Sequence, residues 1–145
     1  MLKHDNTFWY KSKLITKDVI SLMNVVDKKI SNELKIKDNL FFDVIIVDNK
    51  QMQKINNKFR HINKPTDVIS FALRDADISI KVNLLGEIYL DPNYIHKITK
   101  NNFIKEFILT YIHGILHLLL YDHGNKKEEK IMFHLQDKIL KKIKF

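Results

Sequence analysis

Apolar residues recur along this chain with two different spacings, and the spacing changes from one segment to the next. Between Lys17 and Glu33 they recur every three or four residues, which predicts an amphipathic helix, and Thr16 before it is a favourable capping residue. Continuous apolar and β-branched runs predict buried strands instead. These runs cover residues 41–47, 67–73 and 84–90.

Further helices are predicted where a capping residue precedes helical spacing. Their expected starts are Asp48 or Asn49, Asp91 before Pro92, Asn101 or Asn102, and about Lys126. The helix after Asn102 is apolar almost all round, so we expect it at the centre of the fold. Residues 74–83 are interpreted as a loop. Strands interleaved with helices predict one α+β domain over residues 1–145, with a small, mostly parallel sheet of about four strands and about five helices.

Composition limits the classes of function that this chain could have. The formal net charge of +8 favours a polyanionic partner such as nucleic acid, although lysines on solvated helix faces would give the same count. There is no cysteine, so a metal site would have to use His, Asp or Glu. No apolar run approaches the length of a membrane span and the first residues lack a signal-peptide core. We therefore expect a cytoplasmic protein with no membrane partner.

Three histidines, His113, His117 and His123, lie close together in the sequence. The first two are one helical turn apart on the predicted central helix, so their imidazoles share a face. His123 can join them if the chain leaves the helix near residues 120–122 and turns back. Three imidazoles with one open position form the ligand set of a catalytic zinc centre. Two core histidines bonded to the backbone are the alternative, but burying two imidazoles without a shared partner is costly.

The residue after the first histidine argues against one class of metalloenzyme. The spacing of the three histidines matches that of metzincin proteases, which carry a glutamate at this position as general base. Here Gly114 occupies the position and supplies no general base, so we do not expect peptide hydrolysis by that mechanism. A glycine instead permits another backbone, or a substrate, to approach the helix closely.

The segment from His113 to His123 resembles the H-G-x-L-H-L-x-G-Y-D-H signature of the YbeY family of bacterial endoribonucleases. Upstream, Arg60 and the Thr-Asp-Val-Ile-Ser-Phe run from Thr66 resemble another segment of that family, and Leu85-Gly-Glu-Ile resembles its L-G-D-I strand. The resemblance implies a zincin-like fold with a metal-binding central helix. It also implies a metal-dependent, single-strand-specific endoribonuclease that acts in rRNA processing, including the 3′ end of 16S rRNA, and in ribosome maturation.

The same resemblance assigns expected roles to individual residues. His113, His117 and His123 would hold one Zn²⁺ per chain, although such a site accepts other divalent ions. Arg60 would be catalytic, because a guanidinium fork matches a phosphate and stabilises developing negative charge. The expected partners are an rRNA precursor and the ribosomal small subunit or its proteins. The predicted substrate-binding residues are Lys64 and Arg74, which a solvated surface would explain equally well.

Two positions depart from the family pattern. Leu120 replaces a glycine at the bend before His123, and a leucine held there at positive φ costs roughly 1 kcal/mol or more. Ala72 replaces a proline at a predicted strand end. The roles of two carboxylates also remain open. Asp67 is expected to be structural or to support a histidine, and Glu87 is expected to face outward.

Two other functions fit the sequence. One is a non-catalytic ribosome-assembly factor whose metal is structural, which a fourth protein ligand would favour. The other is a metal-dependent hydrolase of small phosphorylated or acyl substrates, which would need a deep, closed pocket.

Overall fold

Four strands and five helices make up the described parts of the chain, residues 1–73 and 83–145 of a computed structural model. In chain order they are β1 (Leu2–Phe8), α1 (Lys17–Glu33), β2 (Leu40–Ile46), α2 (Asn49–Arg60), β3 (Val68–Ala72), β4 (Leu84–Leu90), α3 (Pro92–Thr99), α4 (Phe103–Leu118) and α5 (Lys126–Leu140). The predicted α+β class is confirmed. The loop predicted at residues 74–83 lies, apart from Asn83, outside the described residues.

Side-chain caps account for most of the helix starts. A side-chain oxygen accepts a hydrogen bond from a first-turn backbone N–H before α1, α2, α3 and α5, and the capping residues are Thr16, Asp48, Asp91 and Asn125. Asp48 forms a full capping box, because Gln51 returns a bond to the Asp48 backbone. The central helix α4 lacks such a cap and follows a 3₁₀ turn over Lys100–Asn102.

The sheet has the order β1-β2-β4-β3. Strands β1, β2 and β4 run parallel, and β3 runs antiparallel to β4, which confirms the mostly parallel sheet. Strand β1 was not among the predicted runs, because its sequence is polar at most positions and it lies at the sheet edge. It nevertheless pairs with β2 along its whole length, from Leu2 opposite Leu40 to Phe8 opposite Ile46.

A buried polar network holds β1 against two helices. His4 Nδ1 lies 2.5 Å from Asp27 Oδ2 on α1, and the Tyr111 hydroxyl on α4 donates to Asp27 Oδ1 at 2.6 Å. The His4 side chain is 2% exposed, so this network lies inside the protein. Burial raises the pKa of Asp27, and the bonds to His4 and Tyr111 oppose that rise.

Helix α4 is the centre of the fold, as its sequence predicted. It contacts β3, β4, α1, α3 and α5, and Ile112, Ile115 and Leu116 are fully buried. A Cβ on Gly114 would lie 3.1 Å from Ile88 Cγ2, so the close approach predicted at this glycine is made by the sheet. Ser70 Oγ donates to the Gly114 carbonyl at 3.2 Å across the same contact. None of the described helices is long and apolar enough to cross a membrane.

Candidate metal centre

The structure brings the three predicted histidines together at the end of α4. His113 and His117 lie on one helix face and are partly buried, and exposed His123 follows the turn after the helix. One ring nitrogen from each lies within 4.8 Å of the other two, and the Nε2 atoms of His113 and His117 are 2.9 Å apart. Such a cluster could hold a metal ion.

A tight turn carries His123 back to the helix. Leu120 adopts φ +70°, its N–H donates to the His117 carbonyl, and the Tyr121 N–H donates to the Leu116 carbonyl at 2.9 Å. This bond pattern is a Schellman motif, whose left-handed position is usually glycine. The chain therefore bends where the sequence predicted, with a leucine at positive φ. Asp122 Oδ1 accepts the His123 N–H at 2.7 Å and stabilises the turn.

We predict that Leu120→Gly stabilises the metal-free protein by about 1 kcal/mol, because glycine adopts this φ without steric cost. Little packing is lost, since Leu120 is 49% exposed. Urea unfolding in the presence of a chelator measures the change. Leu119→Gly is the matched control. Leu119 has φ −88°, so glycine relieves no strain there, and this variant should be less stable than the native protein. Equal destabilisation of both variants would contradict the assignment of strain to Leu120.

Gln136, a residue that the sequence analysis did not single out, supports the first ligand. His113 Nδ1 lies 2.5 Å from Gln136 Oε1 on α5. An amide oxygen only accepts, so Nδ1 carries the hydrogen and the lone pair of Nε2 is directed at the other histidines. Gln136 is 7% exposed and falls between buried Met132 and Ile139, and a polar residue at such a position needs a partner.

The electrostatics of the cluster favour neutral imidazoles. Burial lowers the pKa of His113, although the bond to Gln136 opposes this shift. Burial also lowers the pKa of His117, and the charges that His113 and His123 would carry when protonated lower it further. Neutral imidazole is the form that binds metals, so the donor set fits a divalent transition metal.

The histidines open into a cavity of about 640 Å³ that Arg60 also lines. Arg60 is the last residue of α2 and is exposed, and among the described residues no salt bridge involves it. Asp67 lines the cavity too, but its Oδ1 accepts the Val68 N–H at 2.8 Å. Asp67 therefore has a structural bond, and its negative charge also acts to raise the pKa of His113, against the larger effect of burial.

The remaining predicted residues lie outside this cavity or outside the described residues. Lys64 is exposed and is absent from the cavity lining, and its carbonyl accepts a bond from Asn56 Nδ2 at 2.8 Å. Arg74 belongs to the residues that the structure does not describe. Glu87 is also absent from the lining and accepts the Tyr89 hydroxyl at 2.6 Å. Of the predicted RNA-contacting residues, Arg60 is thus the one that the described structure brings to the histidines.

Comparisons with known proteins relate this chain to one family. A family model described as "Endoribonuclease YbeY" matches residues 6–144. A relative of that name from Malacoplasma penetrans is 41% identical over 90% of this chain and 89% of its own length, and one from Ureaplasma urealyticum is 39% identical over 90% of each. The solution structure of TM1509 from Thermotoga maritima aligns with a TM-score of 0.60 and 29% identity, covering 97% of this chain and 87% of that one. The chain belongs to the YbeY family.

Proposed function

We propose that this protein is a metal-dependent endoribonuclease, formed by a single domain over residues 1–145. Its proposed substrates are single-stranded regions of rRNA precursors, including the 3′ end of 16S rRNA, cleaved during ribosome maturation in the cytoplasm. The ribosomal small subunit or its proteins are the proposed partners. The observation that carries the proposal is a three-imidazole cluster that opens into the same cavity as Arg60.

The proposed metal is one Zn²⁺ held by His113, His117 and His123. Nitrogen-only ligands suit Zn²⁺, although other divalent ions bind similar sites. When bound, the ion supplies Lewis-acid stabilisation of the negative charge that develops at the scissile phosphate. Gln136 keeps the His113 ring in the tautomer whose Nε2 is free, and the turn through Leu120 keeps His123 beside the other two rings.

Arg60 is the proposed catalytic residue of the protein itself. Its guanidinium carries a permanent charge and a planar set of donors that match two phosphate oxygens. In the cavity it would bind and orient the scissile phosphate and stabilise the charge that accumulates during phosphoryl transfer. Lys64, exposed on the segment between α2 and β3, is proposed to contact a flanking phosphate, as is Arg74.

Two features favour this function over its rivals. Among the described residues, the possible ligand group has three members, so a fourth protein ligand does not fill the coordination position that substrate needs. This supports catalysis over a purely structural metal. The cavity also has exposed walls at Arg60 and His123, which suit a polymer better than a small molecule that must be enclosed.

Metal removal tests the proposal. We expect chelated protein, verified by elemental analysis, to leave a labelled single-stranded RNA uncut, and one equivalent of Zn²⁺ to restore cleavage. Mg²⁺ alone is the matched control and should restore less, because it prefers oxygen ligands. Undiminished cleavage by the metal-free protein would refute the proposal. A substrate with a 2′-deoxy nucleotide at the cleaved position then separates attack by the RNA 2′-hydroxyl from attack by water.

A further inference from the structure

A second groove lies next to the metal cavity and shares a wall with it. Tyr121, in the turn between α4 and α5, lines both. The groove has a volume of about 570 Å³ and an apolar floor that includes Leu34, Ile131 and Leu135. Ile131 is 51% exposed, so its apolar surface is available at this groove.

The rim of the groove is basic. Lys127, Lys130 and Lys138 recur along one side of α5, together with His134, and helical geometry makes such positions a continuous stripe. At the helical rise, the stripe from Lys127 to Lys138 is about 16 Å long. The only acid among the described residues that line the groove is Glu33.

That acid is already neutralised. Glu33 pairs with Lys138 at 2.6 Å and with Lys142 at 2.5 Å. Hydrogen bonds to these two lysines lower the pKa of Glu33 to about 2. Neither Lys127 nor Lys130 takes part in a salt bridge within the described parts of the chain. The rim therefore presents two lysines without salt-bridge partners among the described residues, at its end nearest the turn that carries Tyr121.

We propose that this groove binds the single-stranded flank of the RNA on one side of the scissile phosphate, which rests on the proposed function. Lys127 and Lys130 contact phosphates, and the apolar floor and the Tyr121 ring receive bases. Single-strand binding sites combine these two elements, a basic track for the backbone and apolar or aromatic surface for the bases. Because Tyr121 lines both, the groove adjoins the cavity at this residue.

The test compares two charge-reversal variants that change the net charge equally. Lys127→Glu/Lys130→Glu alters the groove, and Lys13→Glu/Lys97→Glu alters exposed lysines that line neither the groove nor the cavity. Acidic residues are favourable near a helix N-terminus, so the groove variant should fold. Affinity is measured for a short RNA of about five nucleotides and for RNAs of about fifteen, extended on either side of the cleavage site.

We expect the native protein to bind one of the two extended RNAs more tightly than the short RNA. The groove variant should lose at least about tenfold in affinity for that extended RNA, with a salt slope reduced by about 1.4 for two lost phosphate contacts. It should cut the short RNA at the native rate, and the control variant should keep the gain from extension.

Equal losses in both variants, or no loss in the groove variant, would overturn the inference and leave the groove to another partner such as a protein. So would a native protein that cuts the short RNA but gains no affinity from either extension. Failure of the native protein to cut or bind any of the RNAs would instead refute the proposed function, and the inference with it.

Discussion

His117→Ala is expected to lose the bound metal and RNA cleavage together. In the native protein the Nε2 atom of His117 lies 2.9 Å from the Nε2 atom of His113. Removing the His117 side chain leaves two imidazoles in the cluster. Because the loss of an outer hydrogen-bond partner alone costs 10- to 100-fold in metal affinity, loss of a ligand should cost more than about 100-fold. Alanine is the best helix former, so α4 should persist.

Two measurements on the same preparation check this result: metal content per chain and the rate of cleavage of a single-stranded RNA. His96→Ala is the matched control, since His96 is an exposed histidine on α3 that does not line the cavity. Unchanged metal content in His117→Ala would eliminate the ligand assignment. Lost metal with undiminished cleavage would remove the metal from the reaction.

Local patterns predicted the helices well. Helix capping and helical spacing depend on residues only a few positions apart. The helix starts predicted after Thr16, Asp48 and Asp91 are confirmed. The pairing of His113 with His117 is equally local, because a four-residue step is one turn of α4. The bend at Leu120 was also expected, from the requirement that His123 return to the helix.

Features that depend on packing between distant segments could not be predicted. Strand β1 forms because it pairs with β2 and because Asp27 satisfies His4, neither of which its polar sequence reveals. Gln136 reaches His113 only because α5 packs against α4. The position of Arg60 beside the histidines depends on the whole sheet, and the resemblance to a family, not the spacing, raised it as a candidate.

Arg60→Ala is expected to slow RNA cleavage about 100- to 1000-fold while metal content stays unchanged, which is the usual loss when a donor to developing negative charge is removed. Arg60 is exposed at the C-terminal end of α2, so its removal should cost the fold less than about 1 kcal/mol. The loss should appear mainly in kcat. Arg60→Lys should restore part of the rate, because lysine keeps the charge without the planar fork.

Lys58→Ala is the matched control, since it removes an exposed positive charge from the same last turn of α2 but does not line the cavity. It should cleave at close to the native rate. A native rate in Arg60→Ala as well would leave the histidine cluster without a phosphate-binding partner from the protein. That result would contradict the catalytic assignment of Arg60 and leave a metal held by the three histidines as the proposed source of charge stabilisation.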